Sequence, residues 1–405
     1  MRTLNERALI LAFTCMSFFL GTTEYIIVGL LPEISSSLGI TLAAAGSLVS
    51  GFAIAYAVGT PILMVLLSRF SKRTAILGIL ALIVALNLVG AVSGSYLLLL
   101  AIRILTGVLC GTSLSISLSV LNEAVNRKNV GKSISWVLSG FSIANVLGVP
   151  IGTFVGQHLE WQAAFVLNSV IGIVVLVFVG LYIPSNLSKQ KGSWSELAGL
   201  LTNYRIVLAF LIPVLGTAAV FSFYTYITPI IKNVMGLPLY SISLVLLLYG
   251  IAAIGSNWLG GRLASGNAVG KLRGVFLAQA VIYLVFSFAA DIPAAGLLLL
   301  TAISLFSCVY NVTAQLNLVE LAVEHSPASR DLASSLLPVG ANIGIAIGSS
   351  IGGVVVTTFG VSHLSWTAAF LALIACLVTV GNYRLKKRTN RKPDAEAAKR
   401  TAVIH

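Results

Sequence analysis

Charge is what this chain has least of. Only 9% of its 405 residues are Asp, Glu, Lys or Arg, where a soluble protein carries about a quarter to cover its surface. Acids are the scarcer sign, 12 against 25 bases. A water-soluble globule is excluded on that ground. The four cysteines (Cys15, Cys110, Cys308, Cys376) have no paired spacing and fall in apolar text, so they read as small packing residues, not disulfides or metal ligands. The four histidines are scattered and offer no clustered metal or catalytic set.

Apolar residues fill the space that charge leaves. They make up 58% of the chain, and the mean hydropathy is +1.00. They come in runs of ~20 residues, the length that about 30 Å of hydrocarbon demands of a helix. The expected fold class is an all-α polytopic membrane protein with twelve transmembrane helices. The spans are placed at 8–31, 43–67, 74–93, 96–121, 133–157 and 163–183, then at 206–231, 239–261, 274–290, 294–319, 332–359 and 366–384. Span 1 is too long for a cleavable signal, contains Glu24, and has no clear small-residue cleavage site.

The bases lie in a pattern. They fall at Arg2 and Arg7, Arg69 to Arg73, Arg127 to Lys132, Lys189 to Arg205, Arg262 to Arg273, Arg330, and eight times from Arg384 to Arg400. These are the two ends and every second loop; the alternate loops hold Lys232 with the acids Glu33, Glu160 and Asp291. That asymmetry puts both termini in the cytoplasm, which predicts an integral protein of a bacterial inner membrane. The basic tail is expected to meet anionic lipid headgroups, and nucleic acid is not an expected partner. Gly131-Lys132-Ser133 looks like the end of a phosphate loop, but Asn126 stands where the first glycine is required and no strand precedes it. Direct ATP use has no support.

The chain repeats itself. Gly140, Gly148 and Gly152 recur 200 residues later as Gly340, Gly348 and Gly352, and each block precedes a Trp-x-Ala-Ala-Phe pentad at Trp161 and Trp366. Pro32 and Gly39 recur 197 residues later as Pro229 and Gly236. The expectation is two pseudo-symmetric six-helix halves, 1–183 and 205–385, with a polar linker at 184–204 and a tail at 386–405. The solute site is then expected between the halves near the midplane. A short interfacial helix is expected at Ser193–Glu196, and a monomer is the expected state.

Glu24 is the residue with the most to explain. It sits in an uncharged stretch that crosses the bilayer, where a carboxylate is costly and seldom idle. At 1.5 Å per residue it lies roughly 12 Å below Pro32, and Arg103 of span 4 lies roughly 10 Å deep from the same side. Opposite charges at that depth tend to pair. An acid in low dielectric holds its proton and a nearby arginine loosens it, so approach and withdrawal of Arg103 would load and unload a proton. A static pair, or an arginine capping carbonyls, stands as the structural alternative. Glu123 and Glu320, at the cytoplasmic ends of spans 4 and 10, read as solvated. The repeat places Phe221 opposite Glu24, so coupling is expected in the first half alone. The Gly148-x-Pro150-x-Gly152-x-x-x-Gly156 run gives one helix face small enough for close contact, with a bend at Pro150. Candidate solute-binding residues are Tyr25, Ser113, Ser117, Asn145, Tyr224, Tyr226, Asn257, Asn311 and Gln315, each as able to bond a neighbouring helix as a ligand.

The chain resembles the major facilitator superfamily, and within it the twelve-span drug:proton antiporter branch that includes sugar and purine-nucleoside exporters. The resemblance rests on the 6+6 plan, on Thr23-Glu-Tyr-Ile-Ile-Val-Gly-Leu-Leu-Pro-Glu-Ile34, and on Arg103-Ile-Leu-Thr-Gly107-Val-Leu-Cys-Gly111. It rests most on Gly148-Val-Pro-Ile-Gly-Thr-Phe-Val-Gly-Gln157 followed by Trp161, which is similar to the antiporter motif in span 5. That motif implies a hinge that also seals a proton leak. The family's loop between spans 2 and 3 is matched by Met64 to Arg73, where Arg69 and Arg73 keep the expected gating bases. Ser68 replaces the aspartate there, and both glycines are gone. The resemblance implies export of a drug, sugar or nucleoside-like solute in exchange for protons, no cofactor and no metal. A proton-coupled importer of the same fold is the alternative; a membrane enzyme or a channel would need a catalytic cluster or symmetric pore charge that the sequence lacks.

Overall fold

A computed structural model describes the backbone of residues 2–126, 128–187, 203–265, 268–325 and 330–402, with side chains placed for 6–67, 69–126, 128–187, 203–265, 268–321 and 336–384. Among the described residues, twelve helices are long and apolar enough to cross a membrane. They are Glu6–Gly29, Leu42–Leu66, Lys72–Ala91, Tyr96–Ala124, Val130–His158, Trp161–Tyr182, Tyr204–Asn233, Leu239–Leu263, Ala268–Ala289, Pro293–Leu321, Leu336–Thr358 and Val361–Arg384, called spans 1 to 12. Among the described residues there is no strand. The interfacial helix expected at Ser193–Glu196 lies outside the described residues, as do the side chains of the basic tail.

Boundaries shift where charge misleads hydropathy. Span 9 begins at Ala268, six residues before the expected 274, and takes in Lys271 and Arg273. Lys271 reaches back to the carbonyl of Ser265 at 2.9 Å, so the helix starts among bases that stretch toward the interface. Span 3 likewise opens on Lys72 and Arg73, with the Ser71 hydroxyl accepting from the Thr74 amide at 3.2 Å. A Ser N-cap fixes that start better than the end of the charge run does.

The repeat shows itself at the side of the molecule away from the chain ends, the far side. Span 1 is followed by the short helix Leu31–Ser37, and span 7 closes with its counterpart Ile227–Asn233. Each is followed within three residues by a glycine in the left-handed region, Gly39 at φ 61° and Gly236 at φ 66°, a conformation a side chain would resist. Proline opens each short helix and cannot donate to the carbonyl four residues back. The Val28 carbonyl left by Pro32 accepts instead from Thr228 Oγ1 of the other half, at 3.1 Å.

Glycine sets the closest packing. Gly148, Gly152 and Gly156 of span 5 lie against Thr22, Ile26 and Leu30 of span 1, and a Cβ at Gly152 would come within 2.7 Å of Ile26. In the second half Gly344, Gly348 and Gly352 lie against the carbonyls of Val214, Ala218 and Ser222 in span 7. Both pairs advance four residues per turn, the small-residue mode of helix association in lipid.

The cores divide unevenly. On the far side one hydrophobic cluster runs through both halves, from Ile26, Ile34 and Leu48 to Phe223, Ile230, Leu246 and Phe286. Gly250 of span 8 meets the backbone of Val146, and Gly46 of span 2 makes room for the Tyr226 ring, so the halves approach closely there. On the terminal side the described clusters belong to one half each, Leu9 to Ile183 in the first and Ile206 to Leu336 or Ile212 to Ala375 in the second. The halves are sealed at the far side. Outward-facing Leu181, Leu244, Leu298 and Leu377 are each about 70% exposed, as helix surfaces bathed in lipid must be.

Candidate functional site

Glu24 is 5% exposed and is the one carboxylate among the described side chains that is buried. Its helix is pinned at that turn from two directions. Arg103 of span 4, 1% exposed, donates to the carbonyls of Thr23 and Glu24, the latter at 2.9 Å, and to Leu48 of span 2 at 3.3 Å. Its guanidinium lies over the Phe52 ring, 4.3 Å from the centroid. From span 6, Asn168 donates to Thr23 Oγ1 at 2.8 Å. Arg103 therefore stands beside Glu24 but bonds its backbone; no side-chain pair within 4.0 Å joins the two. The planar fork of arginine suits three carbonyls on two helices. The groups near enough to act on the Glu24 charge are Arg103, Tyr25, Tyr56 and Cys110.

An aromatic row leads from this acid across the seam. Tyr25 lies 6.2 Å from Phe221, Phe221 meets Tyr224 edge-on at 5.5 Å, and Tyr224 stacks on Tyr249 at 5.0 Å. The Tyr224 hydroxyl donates to Asn145 Oδ1 of span 5 at 3.0 Å, tying the halves together. Of the residues expected to bind solute, Tyr25, Asn145 and Tyr224 are thus brought to one place. Ser113 is fully buried with its hydroxyl unbonded. Ser117 is fully buried too, but bonds its own helix at Leu114, and Asn257 bonds its own helix at Ala253. Tyr226 goes elsewhere: its hydroxyl bonds the Ser349 carbonyl at 3.1 Å in the far-side seal. Asn311 and Gln315 are half-buried on span 10.

Span 5 carries a local defect. Residues Ala144–Gly148 form a π-helical turn between the α-helical segments Val130–Ile143 and Val149–His158. Pro150 would clash with the carbonyl of Val146, four residues back, and widening that turn relieves the clash. Asn145, the seam partner of Tyr224, sits inside the widened turn. The expected bend at Pro150 takes this form.

At the terminal side Arg73 caps span 6, donating to Gly180 and Ile183 carbonyls at 3.0 Å each, while Arg69 is exposed. Lys72, 6% exposed, pairs with Glu123 at 2.7 Å. Glu123 is exposed, as its position suggested, yet it is paired: it joins span 4 to span 3, where the missing aspartate had left no pair in view. Glu33 on the far side is a second surprise. One carboxylate oxygen accepts from Gln157 at 3.3 Å and the other is buried without a partner.

Sequence reasoning passed over Tyr56, Asn168, Thr228 and Lys72. Asn168 had a signal, an amide in the middle of an apolar span; the others had none until helices were packed.

Residues 13–329 match the family model described as Major Facilitator Superfamily. An MFS-type transporter of Bacillus subtilis (strain 168), YtbD, is 34% identical over 384 residues, covering 95% of this chain and 97% of its own. The chloramphenicol resistance protein of Streptomyces lividans is 28% identical, covering 89% and 92%. Among solved structures, the inward-facing, unoccupied form of a bacterial homolog of the human lysosomal transporter Spinster superposes with a TM-score of 0.72 at 15% identity, over 95% of this chain and 97% of that one. With twelve candidate spans and a match along most of its length, the chain belongs to the major facilitator superfamily of membrane transporters.

Proposed function

We propose that this protein exports a small organic solute in exchange for protons moving inward, with both chain ends in the cytoplasm. The observation that carries it is Glu24, the buried carboxylate of the first half, set where span 1 is pinned by Arg103 and Asn168 and next to the aromatic row at the seam. A charge kept at that depth needs a use, and proton exchange is the use a lone acid serves.

On this orientation the far side is outside, and the form described is inward-facing. Arg103 fixes the position of the Glu24 turn, while motion of the halves at the Tyr224–Asn145 contact changes what surrounds the carboxylate. Facing out, Glu24 takes a proton from the more acidic side as solute leaves. Facing in, it releases the proton and solute binds. The Gly148–Gly156 face and the π-turn at Asn145 let span 5 pack closely on span 1 throughout, which favours a sealed path for protons. The Streptomyces relative's name, a resistance protein, agrees with outward movement of an organic molecule.

The test is solute movement in inside-out vesicles under an imposed pH gradient, acid inside. Export predicts uphill accumulation in the vesicles that a protonophore abolishes. Accumulation driven by the reverse gradient would make the protein an importer and sink this reading.

A further inference from the structure

We propose that the solute is gripped in the second half, by Tyr249 of span 8 with Gln279 and Tyr283 of span 9, and that it is an uncharged molecule rich in hydroxyl-type donors and acceptors. The proposal rests on the transporter reading and adds the substrate class.

Gln279 is 0% exposed, and neither its Nε2 nor its Oε1 makes a hydrogen bond of good geometry within the protein. The hydroxyls of Tyr283, 0% exposed, and Tyr249, 3% exposed, likewise make no hydrogen bond of good geometry. The three are neighbours: Tyr283 lies within hydrogen-bond reach of Gln279 and within electrostatic reach of Tyr249, whose hydroxyl lies near Ser307. Tyr224 stacks on Tyr249 and Phe223 packs on Tyr283 at 5.3 Å. A buried amide bonded at neither end is disfavoured in any protein interior, and more so where lipid surrounds the fold. Four polar atoms in one place without a well-formed bond leave a site's worth of bonding capacity.

The repeat supplies a control. Spans 3 and 9 bury matching positions 200 residues apart, Ala75 with Val275, Ile76 with Phe276 and Leu80 with Ala280. By that register Gln279 and Tyr283 stand where the first half buries Ile79 and Ile83. Tyr249 matches Phe52, because Ser304 bonds the Tyr249 carbonyl where Gly107, 197 residues earlier, packs on the Phe52 carbonyl. The fold is thus satisfied by three apolar residues at these positions, and the polar ones serve something else.

The same register explains why the solute is neutral. Phe221 replaces Glu24 and Leu300 replaces Arg103, so the second half keeps neither buried charge. One amide offers two donors and an acceptor, and each phenol offers both, which suits hydroxyls on an apolar ring, not a cation or a carboxylate. Tyr224 stands between the site and the seam, its hydroxyl held by Asn145 of the first half. Parting that bond as solute enters from the seam would open the site.

The test is equilibrium binding to the full chain in lipid nanodiscs without a pH gradient, using labelled pentoses, hexoses and nucleosides, with tetraphenylphosphonium and benzoate as charged probes. An uncharged probe should bind and the charged ones should not. Tyr283→Phe, which keeps the ring, should weaken binding about tenfold, the value of one hydrogen bond of ~1.4 kcal/mol. Gln279→Leu, which copies the apolar packing of the first half, should weaken it further. Binding of charged probes alone, no binding of any uncharged probe, or unchanged affinity in Tyr283→Phe would overturn the proposal. So would a higher melting temperature with unchanged binding in both variants, which marks a site for ordered water only. Binding without a gradient is read apart from uphill transport, so either this site or the proton exchange can fail while the other holds.

Discussion

At the residue scale, Arg103 of span 4 meets the turn of span 1 that carries Glu24 without sharing a side-chain bond with it, and the two substitutions should therefore behave differently. Glu24→Gln keeps shape and removes a buried charge, so the purified protein should melt no lower than the parent. Uphill transport should vanish while solute exchange without a gradient partly survives; normal uphill transport by the variant would remove Glu24 from the mechanism. Arg103→Lys retains charge but loses the fork that serves three carbonyls on spans 1 and 2. Losing two bonds from a charged donor costs roughly 2–4 kcal/mol after compensation by the ammonium. A fall in melting temperature together with lost transport is the expected reading, and a variant as stable as the parent would show that the carbonyls do not need the arginine.

At the scale of elements, span 5 and the short helix after span 1 carry the testable contacts. Gly152→Leu would drive a side chain into Ile26, where even a Cβ comes within 2.7 Å. Overpacking of that kind costs about 1–3 kcal/mol, and a lower melting temperature with reduced transport should follow. Glu33, on Leu31–Ser37, has its carboxyl pushed up from the ordinary carboxylate value by burial, against weaker opposing effects of its own backbone, Gln157 and Lys232. A raised acid favours the form that buries it while it is protonated, and that advantage is lost as pH rises through the raised value. The far-side seal should therefore loosen as external pH climbs above the usual carboxylate range. Labelling of a cysteine placed at Thr228 by an impermeant maleimide should rise with pH in the parent and stay flat in Glu33→Gln. Equal pH dependence in both would discard the idea.

The whole molecule makes its own prediction. Ala43 of span 2 and Gly353 of span 11 face each other across the far-side seam, and a Cβ at 353 would lie 3.5 Å from that of Ala43, within the range a disulfide accepts. Ala43→Cys with Gly353→Cys should cross-link under mild oxidant, halt transport and recover under reductant. Transport that continues through the cross-link would mean that this side never opens. Labelling from the cytoplasmic side alone near Lys271, and from outside near Asp291, is expected of the topology read from charge.

Much of this was legible before any helix was packed. Bilayer thickness and hydrogen-bond demand leave a long apolar run one option, so span count and fold class follow from composition. The cost of a buried carboxylate singled out Glu24, and Trp-x-Ala-Ala-Phe with its glycines gave away the repeat. These are properties of short stretches of chain. What the tertiary structure decided depends on residues far apart in sequence. It showed which partner Arg103 takes, that Lys72 reaches Glu123, and that Tyr226 belongs to the seal while Tyr224 belongs to the seam. It also settled which face of the molecule is closed, because one core spans both halves there. Two helices can satisfy the same hydropathy in several packings; side-chain volume and hydrogen-bond geometry choose among them only once the helices meet.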